Sequence, residues 1–198
     1  DSCGKINISY NSCRNRHCPK CQGKNRDDWI QARTTELLPV PYFHVVFTLP
    51  DSLNSLAIHN PKLVYDLLFE TAWATLKTFG KNKELQTGMI AVLHTWGQNL
   101  SLHPHLHCIV PGGGVNKEGK WQNSRSDGKF LFPVRALSKV FRAKFCEALK
   151  KRKYEQYLKI QQQLWQKQWV VFTKKPFSNA YSVVEYLGRY THKIAISN

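Results

Sequence analysis

The chain has 198 residues, 42% of them hydrophobic and 12% aromatic, which is enough for one packed domain with a small appendage and excludes a disordered chain. Its 29 Lys and Arg against 13 Asp and Glu give a formal charge of +16, an excess that points to a polyanionic partner, nucleic acid before a membrane surface. No apolar run approaches the roughly 20 residues of a spanning helix and the first residues are polar, so the chain reads as intracellular.

Four of the six cysteines, Cys3, Cys13, Cys18 and Cys21, crowd into the N-terminal 21 residues. Cys18-Pro-Lys-Cys21 has the spacing with which a tight turn brings two thiolates to one tetrahedral ion, and Cys3-Gly is the tail of a similar knuckle. A zinc ribbon needs two such pairs, so the chain is expected to begin inside its zinc module, with at least one ligand upstream. Cys13 and His17 are spare ligands, enough for a second ion. A reduced, metal-free loop is the competing reading, but so few apolar residues leave the segment little else to hold it together. Arg14, Arg16 and Lys20, with Lys24 and Arg26, interleave with the ligands, either as a DNA-contacting surface or as a solvated basic one. Cys108 and Cys146 sit in apolar surroundings and read as ordinary buried thiols rather than parts of a disulfide framework. The module is taken as residues 1–26 and the second unit as 27–198.

A short linking helix is expected over 27–38, from Trp29, Ile30, Ala32 and Leu37. Tyr42-Phe-His-Val-Val-Phe-Thr-Leu49, between prolines, reads as a strand, and His44 within it as a core or edge histidine. Residues 61–79 show helical periodicity, with proline in the first turn and Gly80 as the stop. Strands follow at 89–96 and 104–110, antiparallel neighbours joined through Gly97-Gln98-Asn99. Gly112-Gly-Gly114 reads as a bulge or turn, or as a close approach to phosphate, before a polar hairpin through Trp121. Helices are expected over 134–153 and 155–167. The charge run Lys150-Lys-Arg-Lys153 between them is a solvated face. A strand at 169–173 precedes a last helix, from Ala180 to about His192, capped by Ser178 or Asn179. That helix sets Tyr186 and Tyr190 four apart on a common face, with Arg189 and Lys193 beside them. Tyrosines so spaced are ordinarily core or half-exposed aromatics.

The stretch from His94 to Val110 holds four of the eight histidines. His105 and His107 alternate across Leu106, so a strand puts both imidazoles on one face and the leucine in the core. Two histidines are part of a coordination sphere, and the third ligand must come from a neighbouring element. His94 on the paired strand reaches the same face; Gln98 and His103 are the alternatives. An open His-rich site polarises a phosphoryl oxygen, and in so basic a chain the phosphate belongs to nucleic acid. Tyrosine suits a phosphoryl transfer whose ester must be conserved and later reversed. A hydrolase using activated water needs a carboxylate, yet none lies between His94 and Val110, and the nearest downstream is Glu118.

His105-Leu-His107 resembles the histidine, hydrophobic, histidine signature of the HUH endonucleases. Cys13-Arg-Asn-Arg-His-Cys-Pro-Lys-Cys21, His94-Thr-Trp-Gly-Gln-Asn-Leu, His103-Pro-His-Leu-His107, Gly112-Gly-Gly and Tyr186-Leu-Gly-Arg-Tyr190-Thr-His-Lys resemble, in that order, the two-tyrosine rolling-circle transposases of the IS-ninety-one family. The resemblance implies an α+β fold: an antiparallel sheet with flanking helices and a central histidine strand, the HUH or Rep-like endonuclease fold, preceded by a small zinc-binding module. It implies nicking and rejoining of single-stranded DNA through a 5′-phosphotyrosine, at element ends and target, in a bacterial cytoplasm close to the nucleoid. Carried over, His105, His107 and His94 hold Mg2+ or Mn2+, Tyr186 and Tyr190 are the nucleophiles, and structural Zn2+ sits on the N-terminal cysteines. Imidazoles alone favour zinc or a late transition metal. The tyrosines follow the histidines, as in replication initiators and transposases. Relaxases carry theirs early, and the one early candidate, Tyr10, lies among the zinc ligands. The family continues beyond the tyrosine helix, so a truncated, non-catalytic DNA-binding remnant is the second reading.

Overall fold

The structure, a computed structural model of the chain, describes residues 19–82, 84–97, 99, 101–124, 131–174, 177 and 180–191, without the side chains of 19–22, 25, 180, 181 and 189–191. Helix α1 spans Pro19–Thr34. Proline suits a first helical position because its missing N–H would have no partner there. The helix begins eight residues before the expected start, so Lys20 and Cys21 lie in its first turn rather than in a tight turn, and it runs through the boundary expected at residue 26. Strand β1 is Tyr42–Thr48, and a 3-10 turn, Asp51–Leu53, leads into the short α2, Asn54–His59. Neither of these last two was foreseen, being too short to show a period. They are fixed by burial of Leu53 and Ala57.

Helix α3, Pro61–Lys81, buries the stripe Val64, Leu67, Leu68, Ala72 and Leu76. Gly80 comes one residue before its end: the residue is still helical and buried, and a Cβ there would stand 2.8 Å from the Leu85 carbonyl oxygen. Strands β2, Ile90–Trp96, and β3, Leu102–Pro111, follow. The triple glycine opens β4, Gly113–Val115, which forms a hairpin with β5, Trp121–Asn123. A Cβ on Gly113 would stand within 2.5 Å of the Gln122 carbonyl oxygen, so these glycines serve backbone packing. Helices α4, Val134–Arg152, and α5, Tyr154–Gln166, precede β6, Val170–Lys174, and α6, Ala180–Thr191. The charge run at the end of α4 is the solvated face expected, with Arg152 held by Glu70 and Lys151 by Glu147.

The main sheet is antiparallel throughout, in the order β2-β3-β1-β6, so the histidine strand β3 is one of the two inner strands. Period-two alternation splits its residues between two faces. Phe43, Val45, Phe47, Leu106, Cys108, Val110 and Val171 point into a core shared with α3, α4 and α5. Tyr42 and Ile109 point the other way and pack against Val183, Val184 and Leu187 of α6, with Trp29 and Ile30 of α1 alongside. The fold is thus an antiparallel sheet flanked by helices, α3, α4 and α5 on one face, α6 and α1 on the other. Cys108 and Cys146 are free and buried, and burial pushes both thiols up, Cys146 to about 11. None of the helices is long and apolar enough to cross a membrane among the described residues.

Candidate metal centre and tyrosine helix

The second sheet face is laid out by the strand register. His94 is paired with His105 and Thr48 with both His105 and Val170; one row along, Val92 and Val46 both pair with His107, and Val46 with Phe172. A further row joins Ile90, Ile109, His44 and Lys174. Helix α6 covers the end of the face that holds Ile109 and Tyr42. At the other end Val170 and Phe172 are 58% and 54% exposed, an apolar floor beside the histidines.

Three imidazoles converge on this face. His94 Nδ1 lies 3.2 Å from His105 Nε2, which lies 3.1 Å from His107 Nε2. The His105 Nδ1–H donates to the His103 carbonyl at 2.6 Å, so Nε2 is the nitrogen that keeps a lone pair. One lone pair cannot accept from two neighbours, but an ion between the three rings uses a lone pair from each. Two nitrogens about 2.1 Å from one ion lie roughly 3.0 to 3.4 Å apart at octahedral or tetrahedral angles. The observed separations fit the edges of such a shell, so the residues fit a divalent ion. No Asp or Glu joins the group among the described residues. Burial holds His105 down at about 4, against its hydrogen bond to His103 and helped by the nearby His94 and His103. The ring is therefore the neutral species that a metal requires.

Of the candidate third ligands, His94 belongs to this cluster, while His103 is exposed and contributes its carbonyl. Gln98 lies outside the described residues. So do Cys3, Cys13, Arg14, Arg16, His17, Cys18 and Lys193, the helix caps Ser178 and Asn179, and the side chains of Lys20, Cys21, Arg189 and Tyr190. The Tyr190 backbone is in α6, one turn beyond Tyr186.

Tyr186 is half-buried and turned toward the sheet. Its ring meets His44 edge to face, with centroids 5.1 Å apart at 69°, and Phe177 at 5.6 Å. Lys174 Nζ stands 5.7 Å from the centre of the same ring. His44, 3% exposed, reaches across the sheet so that its Nε2 is 2.8 Å from His107 Nδ1. Burial, then the positive charge of Lys174, hold His44 down at about 4. Sequence reasoning passed over His44, Lys174 and Phe177 as site residues. Only the register places His44 diagonally across from His107, and no local pattern in the sequence reports it.

Residues 88–198 match the family Y2_Tnp, described as "Putative transposase", and residues 1–49 match the "Transposase zinc-binding domain". The chain is 44% identical over 220 residues to "Putative transposase y4qJ" of Sinorhizobium fredii (strain NBRC 101917 / NGR234), a match covering 100% of this chain and 54% of that protein. It is 39% identical over 122 residues to the "Transposase for insertion sequence element IS801" of Pseudomonas savastanoi pv. phaseolicola, covering 62% of this chain and 30% of that protein. The chain thus spans about half the length of the first of these relatives and matches less of the second. Among solved structures, the conjugative relaxase TrwC in complex with mutant oriT DNA is similar at 15% identity and a TM-score of 0.41, over 55% of this chain and 44% of that one. With more than half of its residues matched by Y2_Tnp, the chain belongs to that family of transposases.

Proposed function

We propose that the chain is the catalytic part of a rolling-circle transposase of the HUH type, which nicks and rejoins single-stranded DNA by tyrosine attack. The observation that carries this reading is the convergence of three imidazole nitrogens, 3.1 and 3.2 Å apart along two edges, on a sheet face against which the helix of Tyr186 packs. His94, His105 and His107 would hold a divalent ion, Mg2+ or Mn2+, whose charge would supply Lewis-acid polarisation of a scissile-phosphate oxygen. The Tyr186 phenolate, its proton given up to solvent, attacks phosphorus. The P–O3′ bond breaks, the freed 3′ oxygen takes a proton, and the ester survives as a 5′-phosphotyrosine. Attack by a 3′-hydroxyl on that ester reverses the step and rejoins a strand. Tyr190 is the second nucleophile, holding one cleaved strand while Tyr186 handles the next.

The strand runs over the exposed floor of Val170 and Phe172, with Lys174 beside the tyrosine for its backbone charge. Residues 1–26 form a zinc-binding module on Cys3, Cys13, His17, Cys18 and Cys21, with Arg14, Arg16 and Lys20 toward DNA, and residues 27–198 form the catalytic domain. Arg189 and Lys193 flank the tyrosines as further phosphate contacts.

The test is incubation with labelled single-stranded DNA from element ends, with and without Mn2+, followed by denaturing electrophoresis. A metal-dependent covalent adduct, lost in His105→Ala, is the expected result. Binding without adduct, unchanged by His105→Ala, would establish a DNA-binding protein without the chemistry.

A further inference from the structure

A histidine that donates from one ring nitrogen cannot offer that nitrogen to a metal, so the centre works only if each ring is held in one tautomer. For His105 the holder is the His103 carbonyl, which accepts only and therefore fixes the proton on Nδ1. For His107 the facing group is another imidazole, His44, which could donate or accept. The two choices have opposite consequences. If His44 Nε2 carried the proton, His107 would carry its own on Nε2, aimed at His105 Nε2 only 3.1 Å away, and the centre would be closed to an ion. If His44 accepts, His107 Nε2 is bare and the three lone pairs converge.

We infer that His44 is a positioning residue of the metal centre, whose Nε2 accepts the Nδ1–H of His107 and so turns the His107 Nε2 lone pair to the ion. The inference rests on the metal reading proposed above.

Three observations carry it. The two nitrogens are 2.8 Å apart, the ring planes differ by 9° and the ring centroids are 5.1 Å apart, a separation that an end-to-end pair reaches at this nitrogen distance and a face-to-face pair does not. The hydrogen bond therefore lies close to the plane of both rings, where the accepting lone pair points. His44 sits on an inner strand, 3% exposed, with α6 over it through the Tyr186 contact, so its ring has little freedom to turn away. Its other nitrogen, Nδ1, is buried and finds no hydrogen-bond partner among the described residues. A side chain kept for packing alone would be apolar here, because a buried imidazole with one nitrogen unmatched is a poorer filler than a hydrocarbon of the same size. Accepting at Nε2 places the His44 proton on this unmatched Nδ1, a cost offset only by the ion's need for the His107 lone pair.

The experiment is Mn2+ titration of the 198-residue chain, followed by loss of the free-ion electron paramagnetic resonance signal, with His105→Ala defining binding that does not involve the histidines. Mn2+ is the weakest first-row competitor and leaves bound zinc in place. The variants are His44→Phe, His44→Asn and His44→Gln, each checked for native circular dichroism and melting. Gln places its Oε1 near the position of the lost Nε2, whereas Asn stops short of it and Phe has no acceptor. The expected result is binding about 10 to 100-fold weaker in His44→Phe and His44→Asn, with His44→Gln restored to within a few fold of the parent. Equal binding by all three and the parent overturns the inference while leaving the metal reading intact, and so does an equal loss in all three, which would mean that shape rather than the acceptor matters. Binding by the parent no stronger than by His105→Ala overturns the metal reading, and this inference falls with it.

Discussion

His94 and His105 face each other across the β2-β3 ladder, with Nδ1 of the first 3.2 Å from Nε2 of the second. Their unequal surroundings predict unequal effects. His105 and His107 stand on an inner strand and are 9% and 7% exposed, whereas His94 is half-buried on the edge strand β2, next to an irregularity in the register before Trp96. His105→Ala and His107→Ala each remove a ligand from the inner strand, and Mn2+ affinity falls by more than about 100-fold, beyond what loss of an outer contact gives. His94→Ala falls less, since water replaces a ligand at the open edge. Isothermal titration with Mn2+ ranks the three. If His94→Ala binds as the parent does, the third ligand is another group.

Acid weakens the metal-free fold. Burial keeps both His44 and His105 neutral in the folded chain down to about 4, while in the unfolded chain both protonate near 6.5. Between those values the unfolded state holds more protons, so stability is full above about pH 7 and is lost as pH falls through 6.5 toward 4. Urea unfolding in the presence of chelator gives a lower midpoint at pH 5 than at pH 7.5. The pH dependence is shallower in the double variant His44→Phe/His105→Gln. Equal midpoints for the parent at the two pH values would mean that the rings are not held neutral.

The alternation His105-Leu-His107 was legible because a strand has a period of two and needs no partner to reveal its faces. His94 was legible once two strands were paired, since its place follows from a short connection between neighbours. His44 was not, for its relation to His107 depends on which strands sit side by side across 63 residues of sequence and in what register. Gly80 marked the end of α3 to within one residue, though for a reason that no local pattern reports. A glycine after a periodic run signals a helix end, but here the constraint is the Leu85 carbonyl that approaches it from a later turn. The start of α1 at Pro19 was hidden because the cysteine spacing read as a turn, although proline in a first turn is equally a helix start.

Lys174 and Phe172 flank the centre on one strand and predict separable effects on binding of single-stranded DNA. Lys174→Gln removes one charge, so affinity falls and the slope of log K against log salt shrinks by about 0.7. Phe172→Ala removes a stacking surface that is 54% exposed, worth about 1 to 3 kcal/mol per base, and leaves the slope unchanged. Fluorescence anisotropy across a salt series reads both numbers. A change of slope in Phe172→Ala, or none in Lys174→Gln, would reverse these assignments.

The crossing of α1 and α6 depends on Gly188, where a Cβ would stand 2.7 Å from Ile30 Cδ1. That neighbour is the end of a side chain and can yield, so Gly188→Ala is mild, but Gly188→Val forces the helices apart and costs about 1 to 3 kcal/mol. Ile30→Ala opens the space that valine fills. A double-mutant cycle by chemical denaturation therefore gives a coupling that favours the pair, and additive effects would place the strain elsewhere.

Tyr186 and Tyr190 lie one turn apart on α6, and their replacement by phenylalanine separates chemistry from packing. Two contacts of the Tyr186 ring, to His44 at 5.1 Å and to Phe177 at 5.6 Å, survive the replacement because Phe keeps that ring. Tyr186→Phe therefore retains the melting temperature and the Mn2+ affinity of the parent while adduct formation with a single nicked strand falls by more than about 100-fold, the scale on which removing a nucleophile acts. Tyr190→Phe leaves the first cleavage largely intact and blocks the second, so it accumulates one strand on the protein and fails to transfer it. Denaturing electrophoresis of adducts made with one and with two labelled end oligonucleotides distinguishes the cases. Full strand transfer by both single variants would show that neither hydroxyl is required on its own, and the scheme of two successive nucleophiles would have to be abandoned.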